Sequence, residues 1–246
     1  MRIIRVFSDQ TLQEGSTVTL DEQEYHHSIK VLRLRTGDAI TLFNGDGFDY
    51  QAVLTVLKRE ASAQIQSKRE GVKESSLKVT LVQGISRGER MDFTLQKSVE
   101  LGVYRIQPTL TERTVVKLDS KRRENRMNHW RSIVISACEQ SGRSVVPELL
   151  EPVSLSDYIQ QIKTSNTVKL VLSPTAVRSI YQCAELADLQ ADVLIGPEGG
   201  LSDEEIEMAQ KSGFILVQMG PRVLRTETAA VVALSVLQDR FGDLSD

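Results

Sequence analysis

Cysteine, histidine and tryptophan are scarce in this chain of 246 residues, which has two, three and one of them respectively. Each shortage excludes something. Cys138 and Cys183 lie far apart and outside any C-x-x-C context. They offer no disulfide framework and suit a reducing compartment, the cytoplasm. His26, His27 and His129 do not fall at metal-ligand spacing with the cysteines, so no metal is expected. No apolar run approaches the ~18 residues that span a bilayer, and the most apolar segment, Ala229 to Leu237, is too short. The basic N-terminus, Met1 to Phe7, leads into no apolar h-region and reads as a first strand rather than a signal peptide. Phosphate loops of the G-x-x-x-x-G-K-[ST] type, G-x-G-x-x-G fingerprints and G-x-S-x-G elbows are absent.

No sign of charge dominates either. The net charge is −3 and the pI about 5.8, whereas a general nucleic-acid binder is usually basic. Locally the balance differs. Between Thr111 and Arg131 seven basic residues (Arg113, Lys117, Lys121, Arg122, Arg123, Arg126, Arg131) stand against three acidic ones. Such a patch can serve an anionic partner, but charge alone favours a solvated helix face.

What is present falls into two parts. Residues 1–72 read as a small barrel of short strands, 3–7, 17–20, 39–43, 48–57 and 61–68, with one helix over 21–34. Asn44-Gly45-Asp46-Gly47 reads as a hairpin turn, because Asn and Gly tolerate positive φ. The polar stretch 70–76 reads as a linker. Residues 73–246 then alternate strand and helix. Strands are expected over 77–82, 103–108, 168–172, 192–195 and 214–217, and helices over 89–101, around Met127 to Ala137, after Ser202 and over 226–241. The pattern implies an α/β domain with a mostly parallel sheet covered on both faces. Ser202 and Glu205 form a capping box. The last helix has almost no polar face before Gln238, so it should be buried all round, in a monomer core or against a second subunit.

Two loops concentrate unusual residues. Gly196-Pro197-Glu198-Gly199-Gly200 follows the strand Val193-Leu194-Ile195. Glycines at the carboxyl end of a parallel strand let a ligand approach bare backbone, in the place where open α/β sheets bind ligands. A tight strand-to-helix turn would need the same glycines. The second loop, Met219 to Ala229, crowds Arg222, Arg225 and Glu227 into another strand-to-helix junction. A cap explains Thr226 and Thr228 but not the arginines.

Both loops resemble the C-terminal signatures of the RsmE-type 16S rRNA (uracil-N3) methyltransferases of the knotted SPOUT class. Ser86 to Met91, Gln96 to Val103, Ala137 to Arg143 and Arg2 to Arg5 agree with the same family. The resemblance implies an N-terminal PUA-like barrel over 1–72, a methyltransferase domain with a trefoil knot over 73–246, and a homodimer. It implies S-adenosylmethionine as cofactor and 16S rRNA as partner, naked or in the small subunit. The cofactor is expected at Leu172 and Ser173, at Ile195, Gly196, Glu198, Gly199 and Gly200, and at Met219, Gly220, Leu224, Arg225 and Thr226. Glu198 and Arg225 are the candidates for work at the base, Glu198 as base or as loop cap, Arg225 as donor to a uracil oxygen or as phosphate ligand. Arg5, Arg33, Arg87, Lys97 and Arg143 are candidates for RNA phosphate contacts, which position without specifying sequence. A non-catalytic RNA-binding protein that kept the nucleotide-binding fold, and a different nucleotide-binding α/β enzyme, are the rivals. Intact glycines and Arg225 disfavour the first, and the missing phosphate loops the second.

Overall fold

The computed structural model describes residues 4–115, 119–162, 167–182 and 189–245. Arg2, Ile3, Lys117 and Cys183 lie outside them, as does part of the stretch 173–189. The chain forms two compact units, Met1–Glu74 with Ile135–Val146, and Ser75–Val134 with Pro147–Asp246.

In the first unit, strands β1 (Arg5–Phe7), β2 (Thr17–Thr19), β3 (Ala39–Phe43), β4 (Phe48–Val56) and β5 (Ala61–Glu70) form one sheet in the order β1-β3-β4-β5-β2. Every pairing is antiparallel except β1 with β3. Alternate residues of the long β4–β5 hairpin, among them Tyr50, Ala52, Leu54, Ala61, Ala63 and Ile65, point into a core shared with Val6, Val18 and Leu42. The helix expected over 21–34 is shorter and irregular. Helix α1 (Glu22–Tyr25) opens on Asp21 in a capping box with Glu24, and a π-helix covers His26–Val31. Arg33, at φ 58°, ends it in left-handed backbone, where a side chain is uncommon.

The second unit is an all-parallel sheet in the order β12-β10-β11-β6-β7-β8, with β9 also on β7. Its strands are β6 (Lys78–Gly84), β7 (Arg105–Leu110), β8 (Glu148–Leu149), β9 (Val153–Ser154), β10 (Val168–Leu172), β11 (Gln190–Ile195) and β12 (Ile215–Val217). The middle strands β6, β10 and β11 are buried along nearly their whole length, as a sheet covered on both faces requires. Helices α2 (Glu89–Glu100), α3 (Ser120–Ser141, of which the residues from Ile135 on belong to the first unit), α4 (Leu155–Gln161), α5 (Asp203–Lys211) and α6 (Thr226–Phe241) alternate with the strands. The Ser202–Glu205 capping box opens α5. α6 buries Ala229, Ala230, Ala233, Leu234, Val236 and Leu237 and packs on α2 and β11. Burial all round is not reached, since Val231 and Val232 stay half-buried. Among the described residues no helix is long and apolar enough to cross a membrane, and no group of three or more His, Cys, Asp or Glu is placed to hold a metal.

Candidate functional site

Strands β10, β11 and β12 run parallel, so their carboxyl ends share one edge of the sheet, and the loops that leave them enclose a cavity of about 650 Å³. Leu172 ends β10 and Ser173 follows it. Ile195 ends β11 and Gly196 to Gly200 follow it. Met219, Gly220, Leu224, Arg225 and Thr226 follow β12. All line this cavity. Sequence reasoning assigned these residues to one cofactor, and the fold brings them to one place. Ser173 is pinned there by its amide, which donates to the Val217 carbonyl at 3.0 Å.

The glycine loop is tight because its backbone touches itself. Gly200 donates to the Pro197 carbonyl at 2.9 Å and has φ 71°. A Cβ on Gly196 would lie 2.8 Å from the Gly200 carbonyl carbon, and one on Gly84 would lie 2.5 Å from the Pro197 nitrogen. Neither position has space for a side chain. The arginine loop is tied to the glycine loop through Thr226. Its hydroxyl donates to the Gly196 carbonyl at 2.7 Å and accepts from Gln83 Nε2 at 2.9 Å. The end of β6, the glycine loop and the start of α6 thus form one hydrogen-bonded unit.

Glu198 is occupied. It accepts the Arg87 amide and the Arg90 guanidinium, both at 2.9 Å. Burial pushes its pKa up, but the Arg87 amide, its own amide and Arg90 outweigh that, and the net shift is downwards. A carboxylate stabilised as the anion is a poor proton acceptor. The arrangement favours the capping role over the base. Arg225 contrasts with it. This residue is the N-cap of α6, yet its side chain makes no capping hydrogen bond and is exposed at the cavity.

Charged residues absent from the expected set also line the cavity, among them Arg90, Arg113 and Glu227. Arg113 donates to the Gly199 carbonyl at 3.0 Å. Arg90 reaches both Glu198 and, at 4.0 Å, Glu227. Arg90 lies inside the Ser86 to Met91 stretch, and Glu227 inside the crowded second loop, which are the signals that could have flagged them. Of the basic run between Thr111 and Arg131, Arg113 lines the cavity, and Lys121, Arg122, Arg123, Arg126 and Arg131 lie on α3. Cys138 is no rival nucleophile, because burial pushes its thiol pKa up to about 12.

The candidates for phosphate contacts divide. Arg33 and Arg87 are exposed. Lys97 is held by Glu100 at 2.8 Å. Arg5 and Arg143 need correction. Arg5 is buried against Asp49 at 2.8 Å and also donates to the Arg143 carbonyl and Ser144 Oγ. Arg143 is buried and paired with Glu74. Both guanidiniums are engaged by carboxylates of the first unit. Arg5→Ala should lower stability by about 1–3 kcal/mol, because it strips one charged donor from the buried Asp49 carboxylate, which keeps Arg69 and Ser144. It should leave the salt dependence of RNA binding unchanged. Urea denaturation and binding titrations at several salt concentrations check both.

A cavity at the strand ends of a parallel sheet, walled by a glycine loop and a loop rich in arginine, defines an α/β protein that binds a small nucleotide-like molecule. Comparison with known proteins narrows the class. Residues 73–238 match the model of an RNA methyltransferase domain and residues 20–66 that of an RNA methyltransferase PUA domain. A ribosomal RNA small subunit methyltransferase E from Buchnera aphidicola is 36% identical over 99% of both chains, and one from Bacillus subtilis 30% identical over 93% of this chain and 92% of its own. A Legionella pneumophila methyltransferase solved with bound S-adenosylmethionine superposes with a TM-score of 0.94 at 42% identity, covering 99% of this chain and 100% of its own. A Neisseria gonorrhoeae small subunit methyltransferase E, also bound to S-adenosylmethionine, gives 0.91 at 40% identity with the same coverage. The chain belongs to the ribosomal RNA small subunit methyltransferase E family, and its N-terminal unit is PUA-like.

Proposed function

We propose that the protein transfers the methyl group of S-adenosylmethionine to N3 of one uridine in 16S rRNA. One observation carries the reading. The cavity formed by the Gly196–Gly200 and Met219–Thr226 loops belongs to a chain that is 42% and 40% identical, over nearly its full length, to methyltransferases solved with that cofactor. The residues fit the group. The volume suits a ligand of this size, Leu172, Ile195, Val217 and Leu224 supply apolar wall for an adenine, and the loops present bare backbone amides and carbonyls. S-adenosylmethionine supplies an electrophilic methyl on a sulfonium.

The chain's own residues have two tasks. N3 of uracil carries a proton at neutral pH, and N3 lies on the pairing edge, so the base must be unpaired or flipped into the cavity. The loops hold nitrogen and methyl in line, and such positioning can supply ~7–11 kcal/mol. Arg225, free of partners among the described residues, donates to a uracil carbonyl oxygen and stabilises the charge that builds there as N3 loses its proton. Glu198 caps the loop and holds Arg90. No metal takes part, and the site of action is the cytoplasm.

The N-terminal barrel, 1–72, delivers the RNA, and 73–246 carries the chemistry. The C-terminal domain contains a trefoil knot. Its support is the strand order: β12 lies outside β10, yet α6 returns to β11 and α2, with Thr226 bonded to the glycine loop. The working form is a homodimer. Its support is α6, whose Val231 and Val232 remain half-buried in a single chain. Val232→Glu should give a monomer or an insoluble protein, and light scattering should find the wild type dimeric at micromolar concentration. A monomeric wild type would remove the dimer. Transfer of radiolabelled methyl from S-adenosylmethionine to 16S rRNA or small subunits tests the function itself. Tight RNA binding with no transfer would instead favour a non-catalytic RNA-binding protein.

A further inference from the structure

Removing the N3 proton calls for an acceptor, and Glu198 is a poor one. Its Oε1 accepts both the Arg87 amide and the Arg90 guanidinium, which help to hold it as the anion. A second carboxylate lines the same cavity. Glu227 sits in the first turn of α6, two residues beyond Arg225. Its side chain is 14% exposed. One oxygen lies 4.0 Å from Arg90 Nε, an ion pair without a hydrogen bond. The other, Oε2, is shielded from solvent and has no hydrogen-bond partner among the described residues. A buried acceptor left unpaired costs about 1–3 kcal/mol, and such groups in a native fold call for an explanation.

The position of Glu227 is held from below. Thr226, its neighbour, is anchored to Gly196 and Gln83, and α6 is packed on α2. The charged groups facing the cavity with it are Arg90 on α2, Glu198 and Arg113 at the glycine loop, Asp203 at the start of α5, and Arg222 and Arg225 on its own loop. Of the two glutamates that share Arg90, Glu198 takes two donors on Oε1, whereas Glu227 keeps a buried oxygen without a hydrogen-bond partner among the described residues. A first-turn carboxylate also complements the helix dipole, but that role needs neither the cavity nor the spare oxygen.

We infer that Glu227 is the catalytic residue that accepts the N3 proton of the target uracil, an assignment that rests on the function proposed above. The N3–H bond breaks towards a Glu227 oxygen as the N3 electron pair forms the bond to the methyl carbon. The carbon–sulfur bond breaks with its electrons remaining on sulfur, and Glu227 later releases the proton to solvent. Arg225 steadies the oxygen charge while this happens.

Glu227→Gln tests it, because an amide keeps the shape and cannot take a proton. Calorimetry should find its affinity for S-adenosylmethionine within about twofold of wild type. Its single-turnover rate on small-subunit RNA at pH 7 should fall about 10²–10⁴-fold, and should recover as the pH rises to 9, where the uracil begins to ionise unaided. The wild-type rate should be level between pH 6 and 8, a readout that needs no variant. An undiminished rate in Glu227→Gln, a loss without recovery at high pH, or a wild-type rate climbing tenfold per pH unit would overturn the assignment. So would a large fall in cofactor affinity with turnover intact at saturation, which would place Glu227 on the cofactor instead. If the wild type forms no 3-methyluridine, the functional reading fails with it. If 3-methyluridine forms and Glu227→Gln is as fast, only Glu227 is wrongly assigned.

Discussion

Gly196→Ala is expected to cost about 10²-fold in affinity for S-adenosylmethionine. The new Cβ would lie 2.8 Å from the Gly200 carbonyl carbon and 2.9 Å from the Leu201 nitrogen. Both are backbone atoms of the same loop and cannot swing aside as a side chain can. The loop must open, which breaks the turn closed by Gly200 and pulls on the Thr226 hydroxyl. Strain of this kind is about 1–3 kcal/mol, and every 1.4 kcal/mol released by leaving the binding-competent shape is tenfold in affinity. Two controls separate site from stability. At Gly199 a Cβ would meet the Arg113 side chain at 3.1 Å. That contact is with Arg113 Cβ and is longer than the backbone clash at Gly196, so Gly199→Ala should have a smaller effect, whereas Gly199→Leu should abolish binding. At Gly213, φ is 90° and a Cβ meets nothing within 4 Å. Gly213→Ala should lose about 1 kcal/mol of stability and keep full affinity. Calorimetry on the three alanine variants, with urea melts alongside, checks the order. Equal affinity in all three would mean that the glycine loop does not touch the cofactor.

Arg225→Lys should lose about 10²–10³-fold in turnover with RNA affinity barely changed. Lysine keeps the charge but not the planar fork, and a donor aimed at a developing oxyanion is worth that much in rate. The structure leaves the guanidinium exposed at the cavity and free of capping duty, so the substitution removes no internal support. If Arg225 held a phosphate instead, the variant would bind RNA more weakly and turn over normally at saturation. Separate measurement of turnover and RNA affinity distinguishes the two.

The parts of this account that were legible in the sequence share one property. They depend on short-range pattern. Helix α6 runs over Thr226–Phe241 as its apolar run implies, and the Ser202–Glu205 box opens α5. The strand ends that carry the two loops follow from alternation of apolar runs with helices. What was not legible depends on partners distant in the chain. Arg5 looks like a free cation until Asp49, 44 positions on, takes it up, and Arg143 until Glu74, 69 positions back, does the same. Glu198 looks available until the Arg87 amide reaches it from 111 positions away. Helix α4 is only seven residues long, although Ser154 caps it and Leu155, Tyr158 and Ile159 keep a helical spacing. The π-helix over His26–Val31 has no sequence pattern of its own.

The most direct measurement is the identity of the modified nucleoside. Small-subunit rRNA that lacks the modification would be incubated with the protein and S-adenosylmethionine, digested, and analysed by mass spectrometry. The account predicts one new 3-methyluridine per rRNA, absent when the cofactor is omitted and strongly reduced with Gly196→Ala. A methyl group on a ribose oxygen or on a base carbon, or no methylated nucleoside at all, would contradict it.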